Sequence, residues 1–119
     1  MRCCFIETRD RIVLVKIIDY CGRIENIIGR CKNNIETFMN DTVYQDACCM
    51  CVVQIGELVG QMSEETKRKN KVIPWRAIKD TRNFYVHCYG SVDLQSVWET
   101  LVQDIPVLHE ACNKLLKEL

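Results

Sequence analysis

One apolar stripe constrains the fold of this chain more than any other feature of its sequence. Between residues 41 and 62, apolar side chains return every three or four positions for about six turns, which is the spacing of one face of an α-helix. The stripe consists of Tyr44, Ala47, Cys48, Cys51, Val52, Ile55, Leu58, Val59 and Met62. Asp41 stands where a helix N-cap is expected. Gly56 lies inside this helix at a cost of about 1 kcal/mol relative to alanine, so we expect another backbone to approach it closely.

Three further segments between residues 9 and 71 have patterns that predict local structure. Residues 9–30 predict an amphipathic helix, with apolar side chains at Leu14, Ile17, Ile18, Cys21, Ile24 and Ile28. Residues 34–39 predict a single turn or short helix that lets the second long helix run back along the first. The polar stretch 63–71 breaks the period and predicts a loop with room for one helical turn.

The C-terminal part carries two more helical patterns. Pro74 is predicted at the first position of a helix, because its fixed φ suits that position and its missing N–H costs nothing there. Gly90 is predicted to end this helix in the left-handed conformation. Asp93 is a suitable cap for a final helix, which Pro106 is predicted to kink or to split into two pieces.

These patterns together favour an all-α fold. No segment shows the two-residue alternation of a strand, so we predict an up-and-down bundle of four to five helices with short connections. A chain of 119 residues with 48% hydrophobic side chains suffices for one core and is too short for two. With two prolines and five glycines the sequence contains no stretch typical of a linker. A single helical domain over residues 1–119 is therefore expected.

The distribution of charge confines any contact with nucleic acid to one region. The 16 basic and 16 acidic side chains cancel, so no global field attracts RNA or an anionic membrane. Residues 63–82 nevertheless hold seven basic side chains against three acidic ones. Such a local excess can steer phosphates, although a solvated surface explains it equally well. Within it, Arg76 and Lys79 are our candidates for RNA contact.

The cysteines and the N-terminal residues indicate where the protein works. The first twenty residues interleave charged and apolar side chains, which does not fit a signal peptide, and the uncharged run 47–55 is far shorter than the about 20 residues that span a bilayer. We therefore expect a cytoplasmic protein whose nine cysteines are mostly small hydrophobic residues. The alternative is a zinc site at Cys48 and Cys51, with Cys3 and Cys4 upstream. It is disfavoured because the first pair falls on the apolar stripe. No metal or cofactor is expected.

A polar cluster near the end of the third long helix is the best candidate for chemistry. Asn83 and His87 are four residues apart and share one face, while Arg82 and Tyr89 are seven apart and share an adjacent one. Arg82 and His87 are separated by about 140° around the helix, with Asn83 between them. We expect the four side chains to make one broad polar patch. The second histidine, His109, lies outside this cluster and is predicted to be a surface or packing residue.

An arginine, an asparagine and a histidine in one patch suit the metal-free cleavage of RNA. The imidazole can move a proton between the attacking 2'-hydroxyl and the leaving 5'-oxygen, and the guanidinium can hold the phosphate and balance its charge in the transition state. One imidazole does not readily serve as base and acid at once, so a second copy from a symmetric partner would complete the set. The alternative from spacing alone is that Arg82 pairs with a carboxylate such as Glu57 and that His87 is a hydrogen-bonded packing residue.

With these residues identified, the sequence resembles the HEPN superfamily and, within it, the HepT-like toxins of toxin-antitoxin pairs. The family's motif of arginine, four to six residues and histidine is matched by Arg82 and His87, with the polar residue after the arginine present as Asn83 and the extension to a tyrosine as Tyr89. Cys88 stands where the family more often has an acidic or polar residue. Other matching segments surround the motif: QIGEL at 54–58, IPW at 73–75, VWE at 97–99 and DIP at 104–106.

The resemblance implies a homodimeric HEPN bundle in which the motifs of both subunits line one cleft. Arg82, Asn83 and His87 would then be the catalytic residues of a metal-independent endoribonuclease. The resemblance further implies a type VII-like toxin-antitoxin pair, in which a nucleotidyltransferase antitoxin of the MNT type transfers AMP to Tyr89. The adenylyl group would place a bulky anion beside Arg82 and block the cleft.

Two other classes of function remain open. The first is a non-catalytic HEPN subunit that docks a nucleotidyltransferase and binds a nucleotide or phosphate; the intact set of Arg82, Asn83 and His87 counts against it. The second is a cysteine-based metal or redox protein, which predicts bound zinc or a reactive pair of Cys48 and Cys51.

Overall fold

Seven α-helical segments make up the described part of the chain in the computed structural model, which covers the backbone of residues 2–119 and the side chains from residue 8 onward. The segments are α1 (Arg2–Arg30), α2 (Ile35–Met39), α3 (Thr42–Gln61), α4 (Glu64–Lys69), α5 (Trp75–Cys88), α6 (Leu94–Glu99) and α7 (Ile105–Glu118). No strand occurs among these residues. The prediction of an all-α fold is therefore confirmed.

Four helical rods form the bundle within this described region: α1, α3, α5 and the consecutive pair α6 and α7. The helix α3 packs against both α1 and α5, and α7 packs along α1. Nine positions of α3 are buried, including most of its predicted apolar stripe. The fully covered side chains that other elements bring to the core include Leu14, Ile17, Ile24, Phe38, Val97 and Leu101. The remaining helices, α2 and α4, are short connections, as expected for a bundle of four to five helices.

Polar side chains fix where α3 and α6 begin. The carboxylate of Asp41 accepts hydrogen bonds from the N–H groups of Val43 at 3.0 Å and Tyr44 at 3.2 Å. Asp93 likewise accepts from the N–H of Gln95 at 3.2 Å. Each carboxylate satisfies backbone donors that the first helical turn leaves without partners. Both predicted N-caps are confirmed.

The chain reverses direction sharply after α1. Lys32 and Asn33 adopt left-handed φ angles of 56° and 54°, and Asn34 then caps α2 by accepting from the N–H of Glu36 at 2.8 Å. The predicted short helix at 34–39 is thus confirmed. The helix α1 begins at Arg2, earlier than the apolar spacing predicted, because its first turns need no apolar stripe to continue the backbone hydrogen bonds.

Pro106 divides the last helical rod. Between α6 and α7 the backbone widens into a π-type turn over Thr100–Asp104. The N–H of Ile105 donates to the carbonyl of Thr100, five residues back. Proline has no N–H to donate to the carbonyl four residues earlier, and its ring clashes with that carbonyl. The wider turn accommodates both effects. The split was one of the two outcomes predicted for Pro106.

Two predictions at the ends of α5 differ from the structure. Gly90 is not left-handed, since none of the glycines in the described residues has a positive φ. Instead, the helix tightens into a 3-10 turn over Tyr89–Ser91, where the N–H of Val92 donates to the carbonyl of Tyr89 at 3.2 Å. The prediction for Gly90 is wrong because this tighter turn satisfies the final carbonyls without a residue of positive φ. Pro74 was predicted at the first helical position, but it is the N-cap of α5, and the helix begins one residue later at Trp75.

A buried carboxylate that the sequence analysis did not identify ties α1 to α4. Asp10 is fully buried and accepts three hydrogen bonds: from the N–H of Ser63 at 3.0 Å, from the hydroxyl of Ser63 at 2.6 Å and from the hydroxyl of Thr66. Ser63 in turn accepts from the N–H of Thr66 at 3.2 Å as the N-cap of α4. Asp10 lies four residues before Leu14 and therefore on the apolar face of α1. This position was the feature of the sequence that could have predicted its burial. The network fixes the position of α4 and of the basic side chains on it.

Most of the cysteines whose side chains are described belong to the core. Six of these seven are buried, and Cys88 is exposed. Burial raises the pKa of Cys48 and of Cys112 to about 12, so these thiols stay protonated near neutral pH and behave as small apolar groups. Cys3 and Cys4, which belonged to the zinc alternative, lie outside the described side chains. Across the described residues, no helix combines the length and the apolar character that crossing a membrane requires.

Candidate functional site

All four motif residues lie in α5 or directly after it, but they face different directions. Arg82 and Tyr89 lie on the side of α5 that packs on α3, and each bonds a carboxylate of that helix. His87 is about 140° from Arg82 around the helix axis and is exposed. Asn83 lies between these two directions. The structure therefore joins Arg82 directly to Asn83 and turns the imidazole of His87 away from Arg82 and Tyr89.

Gly56 is the reason that Arg82 can pack so closely on α3. A Cβ atom placed on Gly56 would lie 2.2 Å from the Cβ and 2.6 Å from the Cγ of Arg82. These two atoms belong to the root of the side chain, which cannot swing away without moving the backbone of α5. The close approach predicted at Gly56 is confirmed, and the element that approaches is the motif arginine itself. The stem of Arg82 is thereby held in place by main-chain packing.

The guanidinium of Arg82 is partly occupied. It forms an ion pair with Glu57, and it also donates to the side-chain oxygen of Asn83 at 2.6 Å. Its Nε is buried and has no hydrogen-bond partner among the residues that the structure describes. The exposed fractions of the Arg82 and Glu57 side chains are 27% and 45%, so this pair is open to solvent on one side. A phosphate that displaces Glu57 would gain a fork of donors and would not need to move Arg82.

Lys79 shares a surface depression with Arg82. The depression has a volume of about 240 Å³ and is lined by Gly56, Glu57, Gly60, Gln61, Lys79 and Arg82. Lys79 is exposed and lies three residues, almost one turn, before Arg82 on α5. Two cations against one carboxylate leave the depression with a net positive charge.

The other RNA-contact candidate, Arg76, lies elsewhere. It lines an open groove of about 610 Å³ at the start of α5, together with Lys67, Arg68 and Lys71 of the preceding segment. Lys67 is paired with Glu64 at 3.3 Å. Arg76 and Lys79 are therefore parts of two separate basic surfaces, of which only the one around Lys79 adjoins the motif.

The two histidines have different environments. His87 is exposed and makes no hydrogen bond or ion pair with any other residue that the structure describes. His109 lies against α1, where its Nδ1 is 2.9 Å from the Oε1 of Glu25. The predicted role of His109 as a surface or packing residue agrees with this contact. The alternative reading of the motif holds for Arg82, which does pair with Glu57. It does not hold for His87, which is exposed and makes no hydrogen bond with a described residue.

Tyr89 contacts a residue that the sequence analysis missed. Its hydroxyl donates to the Oδ1 of Asp46 on α3. This hydrogen bond is the main cause that raises the pKa of Tyr89 to about 12. The ring remains 47% exposed. Asp46 and Glu57 are eleven residues apart, which is about three helical turns and places both on one stripe of α3. The spacing of the two carboxylates could have been noticed in the sequence, but it does not show which helix packs against this stripe of α3.

This chain is similar to proteins that are named as ribonucleases. A family model described as "Ribonuclease HepT-like" matches residues 17–115. A protein of Caldanaerobacter subterraneus named "Putative RNase" is 30% identical over 109 residues, which cover 91% of this chain and 95% of that protein. Another "Putative RNase", from Methanocaldococcus jannaschii, is 30% identical over 89% of this chain and 86% of its own length.

A relative from Thermococcus cleftensis extends these similarities. It is named "Probable ribonuclease HepT" and is 32% identical over 70% of this chain and 84% of its own length. No solved structure gives a significant match. The family match and the matches to the two proteins named "Putative RNase" extend far enough to include the segment that carries Arg82, Asn83, His87 and Tyr89.

Proposed function

Because this chain belongs to the HepT-like ribonuclease family, we propose that it is a metal-independent endoribonuclease made of one HEPN domain over residues 1–119. Its reaction is attack by the 2'-hydroxyl of RNA on the adjacent phosphorus, with departure of the 5'-oxygen. The observation that carries the proposal is the placement of Arg82, whose stem is fixed over Gly56 while its side chain stays 27% exposed beside Lys79. Such a prepositioned, solvent-accessible fork suits a phosphodiester.

Each motif residue has a distinct role in this proposal. Arg82 binds the scissile phosphate in place of Glu57 and balances the charge that develops on its oxygens. Asn83 holds the guanidinium through the contact of 2.6 Å. His87, which has no partner among the described residues, transfers the proton between the 2'-hydroxyl and the 5'-oxygen. Lys79 contacts the RNA backbone next to the scissile phosphate, and Arg76 contacts RNA near the start of α5.

The directions of Arg82 and His87 favour a homodimer. The two side chains leave α5 about 140° apart, and a helix with its side chains is about 10 Å across. A phosphate held by Arg82 on the α3 side of α5 is therefore badly placed for the imidazole of the same chain. In a twofold dimer, His87 of one subunit faces the phosphate held by Arg82 of the other. The alternative is a non-catalytic subunit that binds a nucleotide or phosphate at Arg82 and docks a nucleotidyltransferase.

We further propose that the protein is the toxin of a type VII-like toxin-antitoxin pair in the cytoplasm. Its antitoxin would be a nucleotidyltransferase of the MNT type that transfers AMP to Tyr89. Tyr89 is 47% exposed, which suits an acceptor. Arg82 lies seven residues away on the same stripe, about 10 Å along the helix axis. The added phosphate is then within reach of the guanidinium that RNA needs.

Cleavage of RNA in the presence of EDTA tests the ribonuclease. The parent protein is expected to cut, while Arg82→Ala and His87→Ala lose about 100-fold or more in rate. His109→Ala is the matched control, because it removes the histidine outside the motif and should retain activity. Equal and negligible cleavage by all of these proteins would favour the binding subunit instead.

Mixing the two inactive variants tests the shared cleft. A heterodimer of Arg82→Ala with His87→Ala contains one complete site if the two side chains come from different subunits, so activity should return on mixing. If the residues act within one chain, the mixture stays as inactive as its components. Sedimentation of the mixture reports whether dimers have formed.

Intact mass measures the proposed modification. Incubation with ATP and a nucleotidyltransferase of the MNT type should add AMP to the parent and not to Tyr89→Phe. Tyr85→Phe is the control, because Tyr85 lies on the same helix but is buried. Undiminished gain of AMP by Tyr89→Phe would exclude Tyr89 as the acceptor.

A further inference from the structure

The pair formed by Tyr89 and Asp46 has no part in the cleavage step proposed above, and it has features that suit another reaction. The phenolic hydroxyl of Tyr89 donates directly to the carboxylate of Asp46. Both side chains are exposed, Tyr89 by 47%, so a large reactant can reach them from solvent. A single hydrogen bond this exposed contributes little to folding stability.

Asp46 is the one carboxylate that contacts this hydroxyl in the described part of the chain. Glu57 lies on the same stripe of α3, but it is about 16 Å away along the helix axis and is engaged by Arg82. Asp93 is engaged in capping the first turn of α6. Asp46 makes no other hydrogen bond or ion pair with a described residue. Its carboxylate is therefore available to accept a proton from Tyr89.

The hydroxyl of Tyr89 retains its proton near neutral pH. The hydrogen bond to Asp46, which favours the neutral phenol, is the largest cause of a pKa raised to about 12. A neutral phenol is a weak nucleophile, so its reaction at a phosphorus atom requires a base in contact with the O–H group. An aspartate meets the same requirement in protein kinases, where it accepts the proton of the substrate hydroxyl.

We propose that Asp46 is the general base that activates Tyr89 for nucleotidyl transfer from a nucleoside triphosphate. The phenolic oxygen of Tyr89 attacks the α-phosphorus of ATP and forms the new P–O bond. The bond from the α-phosphorus to the pyrophosphate oxygen breaks, and pyrophosphate leaves with the electron pair. The phenolic proton passes to Oδ1 of Asp46. This inference rests on the proposed modification of Tyr89 and assigns one catalytic group of that reaction to the target chain itself.

The rate of modification of Asp46→Asn tests the inference. Asparagine has the same size and still accepts the hydrogen bond of Tyr89 through its side-chain oxygen, but it cannot take up the proton. With ATP and the same nucleotidyltransferase of the MNT type, the initial rate of AMP incorporation should fall about 100-fold. Asp80→Asn is the matched control, because Asp80 is an exposed carboxylate on α5. Tyr89 of this variant should be modified at the parent rate. Thermal unfolding of both variants confirms that they are folded.

The pH dependence distinguishes a base from a merely structural residue. Without the carboxylate, the reaction must proceed through the small fraction of phenolate, so the rate for Asp46→Asn should rise about tenfold per pH unit between pH 7 and 9. The parent should show no such slope. Asp46→Glu, which restores a carboxylate, should recover part of the rate and remove the slope. Equal rates and equal pH profiles for the parent and Asp46→Asn would overturn the inference while leaving Tyr89 as the acceptor.

A second probe makes the test independent of the transferase. Adenosine 5'-phosphorimidazolide carries an activated AMP that a phenol can accept without an enzyme, with imidazole as the leaving group. Peptide mass mapping should show the parent labelled at Tyr89 at least about tenfold faster than Asp46→Asn. Equal labelling of the two proteins contradicts the role of Asp46. If the transferase does not modify Tyr89 but this probe shows the difference, the proposed antitoxin reaction fails and the activation by Asp46 stands.

Discussion

Asp10 and Arg82 are both charged side chains packed between helices, and the protein treats them in opposite ways. Asp10 is fully buried, and hydrogen bonds from Ser63 and Thr66 surround its carboxylate. The side chain of Arg82 is 27% exposed, its Nε has no partner in the described part of the chain, and its charge is balanced by Glu57, which is itself open to solvent. The carboxylate of Asp10 is thus buried among its hydrogen-bond donors, whereas the guanidinium of Arg82 has only some of its donors in hydrogen bonds.

The difference separates a charge that stabilises the fold from one that is available to a ligand. Removing the carboxylate of Asp10 deprives the buried hydroxyl of Thr66 and the two half-buried donors of Ser63 of their acceptor. The exposed pair of Arg82 and Glu57 contributes little to stability, since water screens it and competes for it. An incoming phosphate can replace Glu57 at small cost. The following four predictions test this contrast, from the largest expected effect to the smallest.

Asp10→Ala should produce the largest loss of stability. Three donors, one of them on the buried Thr66, lose their acceptor, and we expect the free energy of unfolding to fall by about 3 kcal/mol. Urea denaturation measures the change. Asp19→Ala is the control on the same helix, because Asp19 forms an exposed pair with Arg23 and should cost less than about 1 kcal/mol. A loss no greater for Asp10→Ala than for Asp19→Ala would remove the contrast.

Arg82→Lys should have a comparable effect on catalysis and almost none on stability. Lysine keeps the charge but loses the fork of donors that binds a phosphate, so cleavage should fall about 100-fold. The free energy of unfolding should change by less than about 1 kcal/mol, because the ion pair it alters is exposed. Cleavage assays and urea denaturation on the same preparation give both numbers. A variant that loses stability in proportion to its activity would make Arg82 a structural residue like Asp10.

Gly56→Ala should disturb the packing beneath the motif arginine. The added methyl group would lie 2.2 Å from the Cβ of Arg82, so α3 and α5 must move apart, at a cost of about 1–3 kcal/mol. Gly60→Ala is a matched control one turn later in α3, where the added Cβ would meet no other described residue within 4 Å beyond the backbone of its own helix. Since alanine favours a helix, this control should stabilise the protein by up to about 1 kcal/mol. Opposite signs in thermal denaturation would confirm the expectation; the same sign in both variants would contradict it.

Glu57→Gln should have the smallest effect, and it should act on binding. Neutralising this carboxylate frees the guanidinium of Arg82, so we expect RNA to bind a few-fold more tightly at low salt, with stability changed by less than about 1 kcal/mol. Filter binding with the inactive His87→Ala background measures the affinity without cleavage. Glu110→Gln, an exposed carboxylate on α7, controls for the change in net charge. Weaker binding by Glu57→Gln would mean that Glu57 orients Arg82 and does not compete with RNA.

Much of the fold could be predicted because the signals that define it are local. The apolar stripe of α3, the caps at Asp41 and Asp93 and the division at Pro106 each depend on residues within one or two turns. The failure at Gly90 has a local cause as well. Glycine permits a left-handed residue but does not require one, and a 3-10 turn was an equally good ending.

The candidate site could be predicted only in part. The sequence identified Arg82, Asn83, His87 and Tyr89 as a group, and it indicated that Gly56 needed a close neighbour. It did not show that Arg82 is this neighbour, because a helical pattern fixes the directions of side chains around one axis and says nothing about the axial position of a second helix.

By itself the sequence determined the helices, where most of them begin and end, and which polar residues one stretch of α5 would carry. Only the tertiary structure decided which side chains meet: Arg82 with Glu57 across 25 positions, Tyr89 with Asp46 across 43, and Asp10 with Ser63 across 53. The physical reason is that helix formation is governed by neighbours within four residues, whereas these contacts depend on how far each helix slides and turns against the next, which the packing of the whole core sets.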